Sequence, residues 1–324
     1  MHGHGHQHQV VTIAAGVTVV GDPIGTLGRS NSVVIDDGAD AVVVDTMLAP
    51  SLTHCLHEVL RERGARARFV VNTHPHIDHI GGNAAFPDAC VLAHPATVAM
   101  VTELARDTSF LGAMFPDFAD ELADLDVRIP EPVDAAVQLP ERVQLLTLGP
   151  AHAPGDVALW LARDGILIAG DLCFNRITPL ALPGHASISG WIRALDTCIA
   201  LQPRLVVPGH GPVATVDTLR TLRGYLRSLR ELAAEPGPDE TPTEPALDRL
   251  MTAMADGWAE PGRHALNLKV AIAEHRGIAI PGGHGRPRLE PPRWSARRPA
   301  DESPGAASAA STHTNDDRVV GGTS

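Results

Sequence analysis

The residues with the plainest chemical potential stand together in FVVNTHPHIDHIGGN, residues 69–83, where His74, His76, Asp78 and His79 fall within six positions. Three imidazoles and a carboxylate make a poor apolar core and a crowded solvated loop. Neutral imidazole and ionised carboxylate are, however, the borderline ligands that Zn2+, Fe2+ and Mn2+ accept. His74 and His76 lie two apart and can share one side of an extended segment, while Asp78 and His79 point elsewhere after the turn. One loop can therefore feed two adjacent metal positions. Three more candidates each follow an apolar run: His152 in LTLGPAH, Asp171 in LIAGD and His210 in RLVVPGHG. Collected, they give His74, His76 and His152 for one metal, Asp78, His79 and His210 for a second, and Asp171 as a carboxylate able to bridge both. The expected cofactors are two divalent metal ions, zinc first, with iron or manganese as alternatives. Two metals sharing a carboxylate and a hydroxide polarise a carbonyl and supply a nucleophile, because metal charge brings bound water from a pKa of ~15.7 toward ~7. Asp78 is the catalytic candidate of the set: it can also orient that hydroxide and help protonate a leaving group.

Short apolar strands must position these ligands. The hydrophobic pattern predicts strands at 10–13, 17–20, 32–36 and 41–45, with Asp36-Asp37-Gly38 as the turn between the last two. The run VVVD at 42–45 is apolar on both faces, as in a sheet covered on both sides. Asp45 ends it, either as a group supporting the site or as a solvated strand-end side chain. A helix over 51–63 follows Pro50 and stops before Gly64, with His54 and His57 on its surface. Strand 69–72 enters the His-rich loop, strand 90–93 ends at His94-Pro95, and a helix follows over 96–106; His94 is read as structural. Residues 107–133, with Phe110, Met114, Phe115 and Phe118, form either a satellite core under a long loop or the apolar wall of a pocket. Strands are expected again at 135–139, 143–148, 157–162, 166–169 and 204–211. An amphipathic helix is expected at 189–201, and one with Leu219, Leu222, Leu226 and Leu229 along a single face at 215–233. Pro236, Pro238, Pro242 and Pro245 mark a linker before helices at 246–257 and 263–275. His264, Trp160 and Trp191 are expected outside the site. Strand–helix alternation with ligands at strand ends implies a layered α/β domain with its site on one sheet edge.

Composition narrows the class. Of the 324 residues 44% are hydrophobic and only 3% aromatic, so Val, Leu, Ala and Ile must fill the core. A formal net charge of −12 argues against nucleic-acid and anionic-membrane partners, and no uninterrupted apolar run reaches a membrane span. Cys55, Cys90, Cys173 and Cys198 form no C-x-x-C pair and read as reduced thiols. With no signal-peptide pattern at the N-terminus, the expected location is cytoplasmic. Residues 1–9, carrying HGHGHQH, are read as a His-rich disordered tail, either a natural metal scavenger or an expression remnant. Residues 10–278 are read as the catalytic domain, and 279–324, dominated by Pro, Gly, Arg, Ser and Ala, as a disordered C-terminal tail. Nothing in the sequence sets an oligomeric state.

The run T-H-x-H-x-D-H at 73–79, with His152, Asp171 and His210 downstream, resembles the metallo-β-lactamase superfamily across residues 10–278. That resemblance implies an α/β, four-layer αββα metallo-β-lactamase-type sandwich. It also implies a dinuclear, zinc-dependent hydrolase that uses a metal-bound hydroxide on an activated carbonyl. The ligand set fits glyoxalase II-like thioesterases and lactonases better than the Cys-bearing set of class B β-lactamases. A narrower likeness runs through GPAHAPGDVALWL, GDLCFNRITPLAL, VVPGHGPV and ALNLKVAIAEHRG. These segments are similar to the aromatic polyketide cyclase/thioesterase branch typified by the second-ring cyclase of the actinorhodin pathway. There the implied activity is aldol ring closure coupled to thioester hydrolysis, in secondary metabolism. The expected substrate is a small-molecule or carrier-protein-bound acyl compound: a thioester, lactone or similar ester. A di-iron, oxygen-dependent protein is a further reading, since the same ligands hold iron. The chain departs from the polyketide branch at 107–133, at the His185 turn and in the C-terminal tail, which bears on the substrate rather than the metal site.

Overall fold

The layers follow from which strand faces are apolar. In the computed structural model the described residues are 8–133, 137–235, 245, 248–250 and 258–279. Strands β1 (Gln9–Ala14), β2 (Val17–Gly21), β3 (Ser32–Asp37), β4 (Asp40–Val44), β5 (Arg66–Val71), β6 (Cys90–Ala93) and β7 (Glu131–Pro132) pair in that order into one sheet. Its first four strands are antiparallel and β4 to β7 are parallel. Strands β8 (Gln144–Thr147), β9 (Val157–Leu161), β10 (Ile166–Phe174) and β11 (Leu205–His210) form a second sheet, in the order β11-β10-β9-β8, with β10 and β11 parallel. The helices are α1 (Pro50–Arg63), α2 (Ile77–Ile80), α3 (Pro95–Leu104), α4 (Leu111–Met114), α5 (Ala119–Ala123), α6 (Ile188–Ala200), α7 (Val216–Ala233) and α8 (Arg263–Arg276).

Because successive strand residues point to opposite faces, each sheet has two apolar sides. Val33, Ile35, Val42, Val44 and Val71 pack with Leu159, Leu161, Ile166 and Ile168 of the other sheet. The alternate residues Val34, Val43, Val70 and Val91 turn outward onto Leu52, Leu56 and Leu60 of α1. The outer face of the second sheet, with Leu167 and Val206, is covered by α6, α7 and α8, and the Leu219, Leu222, Leu226 and Leu229 face of α7 is wholly buried there. Helix, sheet, sheet, helix is the αββα sandwich. The start and stop of α1 follow the local rules: Pro50 sits in its first turn and Gly64 ends it at φ 63°. Among the described residues no helix is long and apolar enough to cross a membrane.

Three expectations change. Strand β10 runs past 169 to Phe174, so Asp171 lies inside a strand, next to a pairing shift at Gly170. Residues 137–139 carry no strand, and 135 and 136 lie outside the described residues. Gln9, assigned to the tail, begins β1. The proposed linker prolines Pro236, Pro238 and Pro242, most of the 246–257 helix and both tails (1–7 and 280–324) lie outside the described residues.

Candidate metal centre

The loop after β5 delivers His74 and His76, and the short α2 carries Asp78 and His79. His152 comes from the connection between β8 and β9, Asp171 from within β10, and His210 is the last residue of β11. Strand ends of both sheets thus converge on the site, which corrects the expectation of a site on one sheet edge. Taking one donor atom from each residue, His74, His76, His152 and Asp171 lie within 4.8 Å of one another, and so do Asp78, His79 and His210. The two groups anticipated from spacing are therefore assembled. Asp171 faces both. Its Oδ2 is 3.7 Å from His74 Nε2 and 3.3 Å from His152 Nε2. Its Oδ1 is 3.2 Å from His79 Nε2 and 3.6 Å from His210 Nε2. His210 Nε2 is also 3.3 Å from Asp78 Oδ2, and His76 turns Nδ1 toward His152 Nε2 at 3.0 Å.

What lies behind the imidazoles decides which nitrogen faces inward. The carbonyl of Gly25 accepts from His210 Nδ1 at 3.0 Å, leaving Nε2 with its lone pair toward the cluster. Asp45 does the same for His79, with Oδ2 2.8 Å from Nδ1. It also accepts the Thr73 hydroxyl at 2.7 Å and the Thr73 backbone N–H at 2.7 Å. The Thr73 hydroxyl, its proton committed to Asp45, accepts from His74 Nδ1 at 3.0 Å. Asp45 is 2% exposed, which overturns the solvated strand-end reading. It also forms a group with His74 and His79 whose donor atoms lie within 4.8 Å of one another. Two glycines let the walls close in: a Cβ on Gly209 would stand 1.9 Å from Asp171 Oδ1, and one on Gly170 2.6 Å from Thr73 Oγ1.

The electrostatics suit a cation. Burial, reinforced by neighbouring imidazoles, holds His74 and His76 well below the usual histidine range. Burial working against Asp171 brings His152 down to about 4. His79 goes the other way: burial alone would lower it, and Asp171 and Asp45 together carry it well above the usual range, a pull for positive charge at Nε2 that a cation would answer in place of a proton, freeing the lone pair. Burial also opposes ionisation of Asp171, yet His210, His79 and His74 hold it well below the usual carboxylate range. Asp78 is lowered against its burial by His210 and His79. Most telling, the buried Nε2 atoms of His74 and His79 and Oδ1 of Asp171 have no hydrogen-bond partner, although imidazole and carboxylate are close. Unpartnered buried donors and acceptors are costly, and divalent cations held by the two groups would satisfy all three. The residues present fit that group.

Several neighbours were not legible beforehand. His185 Nδ1 is 3.1 Å from His76 Nε2, a contact across 109 positions that no spacing signals. Arg263 of α8 lines the cleft beside Asp78, Asp171 and His210, whose outer wall is Phe110, Met114 and Phe115. Segment 107–118 is thus both alternatives at once, since Leu111, Phe115 and Phe118 are also buried in the α1 core. His94 caps α3 by accepting from Ala96 N–H, and His264 is bonded to the Tyr225 hydroxyl; neither is in the candidate clusters. Trp191 is fully buried and donates to the Leu172 carbonyl, with its ring against that of His152, while Trp160 packs on the helical core. His54 pairs with Glu58 at the surface and His57 stacks on Phe86, both away from the site.

A family model described as the metallo-beta-lactamase superfamily matches residues 25–210. The alpha subunit of 2,4-dinitroanisole O-demethylase from Nocardioides sp. is 26% identical over 57% of this chain and 53% of its own. A metallo-beta-lactamase type 2 from Bacillus sp. is 27% identical over 57% of this chain and 67% of its own. The chain therefore spans about half the length of the first of these relatives and about two thirds of the second. Among solved structures, a metallo-beta-lactamase family protein from Thermus thermophilus superposes with a TM-score of 0.61 at 20% identity, over 82% of this chain and 95% of that one. A metallo-beta-lactamase from Pontibacter korlensis gives 0.53 at 20% identity, over 68% and 99%. At such identities the structures speak for the fold.

Proposed function

The chain belongs to the metallo-beta-lactamase superfamily, and from that premise we propose that it is a dinuclear, zinc-dependent hydrolase of an activated acyl compound: a thioester, lactone or similar ester. The observation carrying the reading is Asp171, whose two oxygens each face two imidazoles from opposite halves of the cluster. His74, His76 and His152 would hold one metal and Asp78, His79 and His210 the other, with Asp171 between; an all-imidazole and carboxylate set suits zinc, and admits iron or manganese. When bound, such a pair supplies Lewis acidity toward a carbonyl and makes water a nucleophile near neutral pH. The chain's own residues do the remainder. Asp45 and the Gly25 carbonyl keep Nε2 lone pairs turned inward. Asp78, which lines the cleft, is the residue we assign to orient the nucleophile and pass its proton to a leaving group. The cleft wall of Ile77, Leu104, Phe110, Met114, Phe115 and Leu182 removes the acyl chain from water.

A second reading is polyketide cyclisation with thioester cleavage, favoured by the aromatic and Met side chains of that wall, which suit a flat, apolar substrate. The test is a panel of acyl-thioesters, lactones, β-lactams and a poly-β-ketone thioester, offered to zinc- and iron-loaded protein with oxygen consumption monitored. A product that gains water supports hydrolysis, and one that gains a ring supports the cyclase. His76→Ala and Asp171→Asn should abolish both bound metal and turnover; full activity in either sinks the proposal.

A further inference from the structure

Arg263 is a cation in an unusual place. It is 6% exposed, and among the residues lining the cleft it is the one Arg or Lys, set with Asp78, Asp171 and His210 in an otherwise largely apolar wall. It is also the first residue of α8, where the positive end of the helix dipole disfavours a cation. Its partners are few. Nη1 donates to the Thr178 carbonyl at 2.9 Å and Nε lies 3.9 Å from Glu260 Oε2, which is too far for a hydrogen bond. Burying a guanidinium with so few direct partners is costly, and the carboxylates of Glu260, Asp171 and Asp78 offset only part of that, since burial still lowers its affinity for the proton. Holding the 176–182 strap does not require this charge. One turn along α8, the neutral Asn267 already ties the strap by accepting from Ala181 N–H and donating to the Pro179 carbonyl, both at 2.8 Å. Thr178 is fixed independently, its backbone N–H and hydroxyl both donating to the Ala259 carbonyl at 2.9 Å.

We propose that Arg263 is a specificity-determining residue whose guanidinium pairs with a carboxylate carried by an otherwise apolar acyl substrate. Planar guanidinium and planar carboxylate match as a fork, and a water-poor wall strengthens the pair. The inference deepens the hydrolase reading by naming the substrate class: an acid-bearing acyl ester or thioester, with the reacting carbonyl toward the His and Asp cluster and the acid toward α8.

The experiment pairs turnover with binding. Matched thioesters, one acyl group ending in a carboxylate and the other in its methyl ester, are compared on the full chain and on Arg263→Met and Arg263→Lys. The expected result for Met is a loss of about 10- to 100-fold in kcat/KM for the acid, the range for losing a hydrogen bond to a charged group, with the methyl ester changed less than about twofold. Lys should restore part of the loss, since it keeps the charge but not the fork. Equal losses on both substrates, or none on either, overturn the pairing. A non-hydrolysable aryl carboxylate and its amide are then titrated by calorimetry. Wild type should bind the acid and the Met variant should bind it at least about tenfold more weakly. Equal binding by both proteins, or no binding to wild type, overturns the inference whatever the turnover. If the acid binds through Arg263 and no acyl compound turns over, the hydrolase reading fails and the carboxylate site stands.

Discussion

Asp45→Asn separates support of the cluster from the cluster itself. The position has φ 58°, a conformation that Asn tolerates better than most residues, so the backbone is not the variable. Asp45 accepts three hydrogen bonds, from Thr73 N–H, the Thr73 hydroxyl and His79 Nδ1. An amide can keep one oxygen on the Thr73 N–H, but its NH2 then faces the hydroxyl and the imidazole. The hydroxyl can rotate. The imidazole can avoid a donor–donor clash only by keeping its proton on Nε2, the atom 3.2 Å from Asp171 Oδ1, which turns a candidate metal ligand into a donor. With a charge-assisted bond worth about 1.5–3 kcal/mol, losing one and weakening a second costs ~2–4 kcal/mol of stability. Loss of such support behind a ligating His typically costs about 10- to 100-fold in metal affinity. The assay is competition with a chromophoric chelator, alongside denaturant unfolding of the metal-free proteins. Activity should return at excess metal. Wild-type metal affinity in the Asn variant would refute the assignment of His79 to Nε2 ligation through Asp45.

Three further outcomes are expected. Gly209→Ala brings a Cβ to 1.9 Å from Asp171 Oδ1, so it should cost about 1–3 kcal/mol of stability while abolishing metal binding; a metal-replete, active variant would refute the close approach. Chelation should lower the melting temperature by roughly 5–10 °C, from ~2.7 kcal/mol of linkage at a hundredfold excess over Kd, and zinc should restore it; an unchanged melting point would count against a resident metal. His264, held down to about 4 by burial, gives an acid-sensitive term. Between pH 6.5 and about 4 the unfolded chain binds a proton that the folded one refuses, so stability falls as the pH falls through that window, by up to ~3 kcal/mol. His264→Gln, which keeps a partner for the Tyr225 hydroxyl, should flatten this part of the stability–pH curve; an unchanged slope would refute it.

The candidate ligands were legible because each sits in or just beyond an apolar run, and period-two strands declare themselves through Val and Ile. Most of the strands and the Leu face of α7 were readable for the same reason, whereas the division into two sheets came from the family resemblance alone. The tertiary pairings were not. Asp45 stands 34 positions from His79 and His185 109 from His76, and a lone Asp or His carries no local mark of its partner. The extent of β10 through Asp171 was missed because Gly170, at φ 52°, reads as a strand stop, whereas the chain continues there with a pairing shift. Segment 107–133 has too weak a period to show that one side of it is core and the other a cleft wall.

Helix α8 lies wholly beyond the stretch matched by the family, residues 25–210, yet it reaches the cleft at Arg263, grips the strap at Asn267, and at Glu274 accepts the backbone N–H groups of Ile188 and Ser189 that open α6. On the proposed reading, reactivity and selectivity are encoded in separable lengths of chain. If the proposed role of Arg263 holds, exchanging residues of α8 should change the compound accepted while every candidate ligand stays untouched, so sequences that agree through position 210 and diverge after it are the ones in which to look for a change of substrate without a change of chemistry.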